Sequence, residues 1–166
     1  TRRPGDTPLG PDAPFEARRQ AVNRFESELL DDVIPVIEKR YPVIADSNHR
    51  ALAGLSMGGS QTMRIGPTHP DTFAYLGVFS SGMRRRTEPS PEDNTSSYPD
   101  AKKLNSALKL FWVSCGDRDR VLEAAKTYEQ FLTEKNINHV WHLDSGGHEW
   151  SVWKNDLYLM AQRLFR

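Results

Sequence analysis

The chain has 166 residues, a length that fits one domain with a sizeable core and is too small for two ordinary domains. Its 22 Lys and Arg residues balance its 22 Asp and Glu residues, so no broad basic face argues for a nucleic-acid or membrane partner. No stretch approaches the roughly 20 apolar residues of a membrane span, and the single cysteine, Cys115, excludes an intrachain disulfide. We therefore expect a single domain over residues 1–166, with Cys115 as a buried thiol.

The first half of the chain begins with a segment rich in Pro and Gly. This composition predicts that residues 1–15 are irregular. Between residues 15 and 41, apolar residues recur three or four positions apart, which predicts an amphipathic helix that Pro35 should bend or interrupt. Residues 50–55 then read as a short strand, and residues 58–68 as a helix that ends before Pro70.

The second half alternates between apolar strand patterns and helical patterns. Strands are predicted at residues 73–80, 108–115 and 138–143, and helices at residues 121–135 and 150–165. The polar residues 81–103 between them predict a long loop. Such alternation is typical of an α/β fold with a mostly parallel sheet and helices on both faces. In these folds the functional groups gather beyond the carboxyl ends of the strands.

The sequence GLSMG at residues 54–58 fits G-x-S-x-G, the pattern of a nucleophilic serine on a strained turn between a strand and a helix. A pattern with three fixed positions also occurs by chance. The alternative interpretation is a glycine-rich turn in which the Ser56 hydroxyl only caps the next helix. The choice between the two interpretations depends on a base and an acid elsewhere in the chain.

A suitable base and acid follow two of the later strands. His148 comes after paired glycines at a strand end, whereas the other four histidines lie within or beside predicted elements. Asp117 and Asp119 both follow the third strand, and the pattern alone makes them nearly equal candidates for the acid. Asp144 is a much weaker candidate. The order Ser, acid, His is that of the α/β-hydrolases. The histidines lack H-x-H or H-E-x-x-H spacing, so we expect no metal site.

Four segments carry a resemblance to a known family: DDVIPVIEKRYPVIADSNHRALAGLSMGG, FAYLGVFSSG, CGDRD and NINHVWHLDSGGHEWSVWKNDL. Together they closely resemble the feruloyl esterase and acetyl xylan esterase group of carbohydrate esterase family 1, the esterase D-like α/β-hydrolases. The resemblance implies Ser56 as nucleophile, His148 as base and Asp119 as acid, with no cofactor. It also implies that the backbone N–H of Met57 is one of two oxyanion donors.

The resemblance further implies a substrate and a location. The substrate would be a feruloyl or acetyl ester on a plant cell-wall polysaccharide such as xylan, and the protein would be secreted. Trp150 and Trp153 directly follow the base and are candidates for lining a substrate pocket, the alternative being core packing. Tyr98 and Arg84 in the long loop are weaker candidates for substrate contacts.

The sequence departs from the family pattern at its start. The family takes its second oxyanion donor from an H-G-x-x-G-type loop after an early strand, and this sequence has no such segment. We therefore expect the C-terminal portion of an esterase, with N-terminal strands missing and one edge of the first strand unpaired. The alternatives are a related S-formylglutathione hydrolase or acyltransferase, and a non-catalytic carbohydrate-binding module with an incomplete oxyanion hole.

Overall fold

The computed structural model describes residues 24–83 and 97–166. The chain divides into two compact units, Thr1–Val43 and Ile44–Arg166, and each is described by itself. The predicted irregular start, the first part of the amphipathic helix and Arg84 lie outside the described residues. Among the described residues, no helix combines the length and the hydropathy that a membrane span requires.

The described part of the first unit is helical. A π-helical segment, Glu28–Val33, leads into the α-helix α1, Ile34–Arg40. The N–H of Ile34 donates to the carbonyl of Leu29, five residues back, which is the hydrogen bond of a π-helix. Pro35, which has no N–H to donate, follows this wider turn directly. The irregularity predicted at Pro35 is therefore a change of helical register, and the helix continues through it.

The second unit is built on a four-stranded parallel sheet in the order β1-β2-β3-β4. The strands are β1 (Ala51–Leu55), β2 (Tyr75–Phe79), β3 (Leu110–Gly116) and β4 (Val140–Asp144). Every residue of β2 and β3 is buried, as expected of central strands with both faces covered. Within the described residues, β1 and β4 form the two edges of the sheet. All four predicted strands are present.

Helices cover both faces of this sheet, as predicted. They are α2 (Met57–Ile65), α3 (Ala101–Ala107), α4 (Leu122–Glu134) and α5 (Trp150–Ala161). Tyr128 of α4 packs its ring against Phe111 on one face of β3. Met160 of α5 lies so close to Gly77 of β2 that a Cβ there would come within 2.5 Å of its sulfur. Gly77 pairs with Trp112, which directly follows Phe111 in β3. Because successive residues of a strand point to opposite faces of the sheet, α5 covers the face opposite to α4.

Helix α3 is the main difference from the sequence prediction, because it begins inside the segment predicted as a loop. The Asp100 side chain caps it by accepting a hydrogen bond from the N–H of Lys103 at 2.8 Å. Leu104 is its one buried residue. A seven-residue helix with one buried apolar side chain has too little periodicity for sequence analysis to detect.

Candidate active site

The carboxyl ends of three strands bring the candidate residues to one edge of the sheet. Ser56 follows β1, Asp119 lies in the turn after β3, and His148 lies in the loop after β4. Because the strands are parallel and in register, these ends lie side by side. The sequence analysis expected this arrangement, and the topology provides it.

Ser56 occupies a strained turn between β1 and α2. Its backbone has φ 52° and ψ −115°, outside the regions that L-residues ordinarily adopt. The N–H of Ser56 donates to the carbonyl of Phe79 at 2.9 Å, which ties the turn to β2. A Cβ at Gly54 would lie 2.3 Å from the backbone of Gly58. The first glycine of the motif is therefore required by the close approach of strand and helix.

The other two glycines of this turn differ in how much space a side chain would have. A Cβ at Gly58 would meet nothing within 4 Å, whereas a Cβ at Gly59 would lie 2.7 Å from the Cβ of Ser81. The packing requirement falls on Gly59, one residue beyond the five-residue pattern. The motif alone did not identify this second position.

His148 lies between Ser56 and a buried carboxylate. The Ser56 hydroxyl lies 3.0 Å from Nε2 of His148, so it can donate to this nitrogen when the ring proton is on Nδ1. On the other side of the ring, Nδ1 lies 3.0 Å from each carboxylate oxygen of Asp119. The loop that carries His148 turns at Gly146, where φ is 140°. This is the backbone freedom that the paired glycines predicted.

The structure separates the two acid candidates. Asp119 contacts the imidazole of His148, and its side chain is fully buried. Asp117 instead accepts a hydrogen bond from the N–H of Gly146 at 2.8 Å and lies 3.6 Å from the Arg118 guanidinium. Asp117 therefore holds the loop of the histidine, whereas Asp119 touches the histidine itself.

The surroundings of Asp119 favour its charged form. Burial by itself raises the pKa of this carboxyl, but hydrogen bonds from the Val121 N–H, the Ser80 hydroxyl and His148 outweigh burial and lower the pKa below its ordinary value. The Val121 N–H bond measures 3.0 Å. The carboxylate is therefore ionised at neutral pH and able to hold the Nδ1 proton of His148.

Ser80 is a residue of the site that the sequence analysis missed. It follows β2, is buried, and has a positive φ of 47°. Its hydroxyl accepts the indole N–H of Trp153 at 2.8 Å and hydrogen-bonds to Asp119. Its position in the sequence could have identified it, since Ser80 also follows the carboxyl end of a predicted strand.

The two tryptophans after the base have different environments. Trp153 packs its ring edge-on against His148, with centroids 4.9 Å apart, and donates to Ser80. Trp150 begins α5 and is 62% exposed. Trp153 thus contacts both His148 and Ser80, whereas Trp150 presents a large apolar surface beside the loop that carries His148. Whether either contacts a substrate stays a prediction.

Met57, the candidate source of an oxyanion donor, is the first residue of α2. Backbone N–H groups in the first turn of a helix have no partner within the helix, and they carry the positive end of the helix dipole. The Met57 side chain is 75% exposed. Its N–H directly follows Ser56, so this arrangement is the one expected for a donor to a developing oxyanion.

Other candidate residues have structural contacts of their own. The Tyr98 hydroxyl hydrogen-bonds to the Met63 carbonyl and lies 2.8 Å from the Tyr128 hydroxyl. Cys115 is buried, and burial raises the pKa of its thiol to about 12. His142 lies 3.8 Å from Asp156, a fully buried carboxyl whose pKa burial raises to about 7.

Comparisons with known proteins place the chain in a family. The family model described as putative esterase matches residues 10–164. An endo-1,4-beta-xylanase/feruloyl esterase of Xylanibacter ruminicola is 32% identical over 150 residues, which is 87% of this chain and 18% of that protein. An acetyl esterase of Caldicellulosiruptor saccharolyticus is 20% identical over 151 residues, with 74% of this chain and 57% of that protein covered. The chain spans less than two thirds of either relative.

Solved structures confirm the predicted α/β-hydrolase fold. A CE1 ferulic acid esterase from Anaeromyces mucronatus, determined with ferulic acid, is similar at a TM-score of 0.76 and 22% identity, over 99% of this chain and 61% of that chain. An S-formylglutathione hydrolase from Staphylococcus aureus is similar at a TM-score of 0.69 and 16% identity, over 90% of this chain and 65% of that chain. The chain belongs to the esterase family, and its resemblance to the feruloyl esterases of carbohydrate esterase family 1 is confirmed.

Proposed function

We propose that this chain hydrolyses carboxylic esters through an acyl-enzyme formed on Ser56. The observation that carries the proposal is the continuous hydrogen-bonded line from Ser56 through His148 to Asp119, in which each contact is 3.0 Å long. A serine, a base and a buried carboxylate in this geometry activate a hydroxyl that is otherwise a weak nucleophile.

In the acylation step, Oγ of Ser56 attacks the ester carbonyl carbon while Nε2 of His148 takes the hydroxyl proton. The C–O bond to the leaving alcohol then breaks, and His148 returns the proton to that alcohol oxygen. In deacylation, His148 takes a proton from water, which attacks the acyl carbon. The carboxylic acid leaves, and the proton returns to Ser56.

Asp119 stabilises the charge that develops on His148 in both steps. The carboxylate accepts a hydrogen bond from the Nδ1–H group, which keeps the ring proton on Nδ1 and leaves Nε2 free to act as the base. Since hydrogen bonds keep the pKa of Asp119 low, the carboxylate stays charged while the imidazole becomes cationic. A buried ion pair of this kind acts with little screening by water.

The N–H of Met57 donates to the negative oxygen of the tetrahedral intermediate. Its place at the start of α2 supports this role, because the N-terminal end of a helix favours negative charge. The H-G-x-x-G-type segment that would supply a second donor does not occur in the sequence. Each donor of this kind typically contributes about a hundredfold to a thousandfold to kcat.

The substrates we propose are feruloyl or acetyl esters on xylan or a related plant polysaccharide. Support comes from the names of the relatives, which include a xylanase/feruloyl esterase, an acetyl esterase and a ferulic acid esterase. The proposed reaction needs no cofactor. Because the polysaccharide is a large polymer, we further propose that the protein acts outside the cell.

This function is tested by measuring ester hydrolysis by the chain and by its Ser56→Ala variant on a feruloyl ester, an acetyl ester and S-formylglutathione. We expect release of ferulate from methyl ferulate or of acetate from acetylated xylan, and loss of both activities in the variant. Preference for S-formylglutathione would favour the related thioester hydrolase. Binding of xylan by a folded chain that hydrolyses none of these substrates would favour a non-catalytic module.

A further inference from the structure

A second group of polar side chains lies between the sheet and α5, apart from Ser56, Asp119 and His148. Ser114 of β3 and His142 of β4 are register partners, so they lie side by side on the sheet. Asp156 projects from α5, and Asp144 ends β4. One ligand atom from each of His142, Asp144 and Asp156 lies within 4.8 Å of the others.

Several buried atoms of this group lack hydrogen-bond partners. Asp156 is fully buried, and neither of its carboxylate oxygens has a partner with ordinary hydrogen-bond geometry, although the nearby Ser114 hydroxyl lowers its pKa against the larger effect of burial. The same holds for Nε2 of His142 and for the hydroxyl of Ser114, which is itself fully buried. Nearly all buried polar atoms in proteins have partners, so four atoms that approach only one another, with 3.8 Å between His142 and Asp156, point to a missing partner.

The donor types and their spacing fit a divalent metal ion. An imidazole nitrogen with two carboxylates is a ligand set for Zn²⁺ or Mn²⁺. Tetrahedral ligands about 2.1 Å from Zn²⁺ lie about 3.4 Å from one another. The 3.8 Å between Nε2 of His142 and a carboxylate oxygen of Asp156 is close to this spacing, and the three ligand atoms, now within 4.8 Å of one another, would have to draw together on binding.

We propose that His142, Asp144 and Asp156 bind one divalent transition-metal ion, with the Ser114 hydroxyl completing the site. A cation would satisfy the unpartnered atoms together and neutralise the buried carboxylate of Asp156. The His142 side chain is 30% exposed, although its Nε2 is buried.

The site is connected to the loop that carries His148. Asp144 accepts the N–H of Ser145 at 2.7 Å and the amide of Asn155 at 2.7 Å, so it joins β4, the start of that loop and α5. A bound ion would hold these three elements together. The expected effect is on stability, since none of the proposed ligands contacts Ser56, Asp119 or His148.

Equilibrium dialysis against Zn²⁺ alone tests the proposal, using the chain without a histidine tag and after treatment with a chelator. We expect about one tightly bound equivalent, at least tenfold weaker binding in Asp156→Asn and in His142→Gln, and unchanged binding in His139→Gln. His139 is the matched control because it lies near His142 in the chain but contacts the Ile137 carbonyl and Glu129. Saturating Zn²⁺ should raise the Tm by about 5 °C.

Binding that is absent, or that persists in both ligand variants, would overturn the proposal and leave a water molecule or a His142–Asp156 ion pair in the pocket. A variant that fails to fold does not block the test. In the unsubstituted chain, Zn²⁺ should shift the imidazole ¹⁵N resonances of His142 at one equivalent. If those resonances do not move, the proposal is wrong.

Discussion

The indole N–H of Trp153 donates to the Ser80 hydroxyl at 2.8 Å, and the same hydroxyl stabilises the charged form of Asp119. The ring of Trp153 also packs edge-on against His148. Two residues outside the proposed catalytic line therefore support it: Ser80 acts on the acid, and Trp153 contacts the base. Because the Ser80 hydroxyl accepts the hydrogen bond from Trp153, its own proton is available to donate to Asp119.

The Ser80→Ala substitution should lower kcat for ester hydrolysis by about tenfold to a hundredfold with little change in KM. A hydrogen bond to a charged group contributes about 1.5–3 kcal/mol, and this one holds Asp119 rather than the substrate. Ser81→Ala is the matched control, because the Ser81 hydroxyl contacts Ser60 at 2.7 Å instead. Equal losses of kcat in the two variants would show that Ser80 has no special connection to Asp119.

Substitution of the two aspartates should distinguish their roles. Asp119→Asn keeps the shape of the side chain but removes the charge that stabilises the His148 imidazolium, so we expect kcat to fall by about a thousandfold to ten-thousandfold. Asp117→Asn keeps an oxygen that can accept the Gly146 N–H, so we expect a loss below about tenfold. Steady-state kinetics on one ester compares them. A larger loss of kcat in Asp117→Asn than in Asp119→Asn would show that Asp119 is not the acid.

Asp119 should also make stability depend on pH in the acid range. Its folded-state pKa is lowered from 3.8, so the unfolded chain binds this proton more readily. The carboxylate therefore stabilises the fold above pH 3.8, and this contribution is lost as pH falls through the folded-state pKa. In urea unfolding at a series of pH values, Asp119→Asn should show a smaller acid loss of unfolding free energy than the parent. Identical pH profiles would contradict this account.

The glycines of the turn should respond differently to alanine. Gly54→Ala would place a Cβ 2.3 Å from the backbone of Gly58, so we expect a loss of unfolding free energy above about 2 kcal/mol or failure to fold. Gly58→Ala meets open space in a helix, so we expect no loss and a gain of up to about 1 kcal/mol. Thermal unfolding compares the variants. Equal destabilisation would mean that the close approach of β1 and α2 is not what requires Gly54.

Cys115 should be unreactive in the folded chain. Burial raises the pKa of its thiol to about 12, so almost no thiolate exists near neutral pH. We expect no labelling by iodoacetamide at pH 8 in the folded chain and complete labelling in urea, measured by intact mass. Fast labelling without denaturant would show that the β3 core opens readily.

Much of the site followed from the pattern of strands and glycines. His148 was identified because only that histidine followed paired glycines at a strand end, and Gly146 does adopt the positive φ that such a turn needs. The choice of Asp119 over Asp117 depended on the resemblance, since two carboxylates two residues apart look equivalent in a linear pattern. Their different contacts arise only when the turn after β3 meets the loop after β4.

Other features depended on contacts between distant parts of the chain. Ser80 meets Trp153 across 73 positions of sequence, and the need for glycine at position 59 comes from Ser81 of another loop. The expectation of no metal site relied on short histidine spacings, whereas His142 and Asp156 meet because α5 packs on the sheet. Linear spacing can detect a ligand pattern within one element and says nothing of side chains that packing brings together, so the expectation of no metal site stays a prediction.

The central claim is that His148 activates Ser56, and covalent labelling tests it most directly. The chain, Ser56→Ala and His148→Gln would each be incubated with a fluorophosphonate ester and measured by intact mass and peptide mapping. The account predicts one adduct on the parent, mapped to Ser56, none on Ser56→Ala and much slower labelling of His148→Gln. A folded parent chain that takes up no adduct, or labelling that is equally fast without His148, would contradict it.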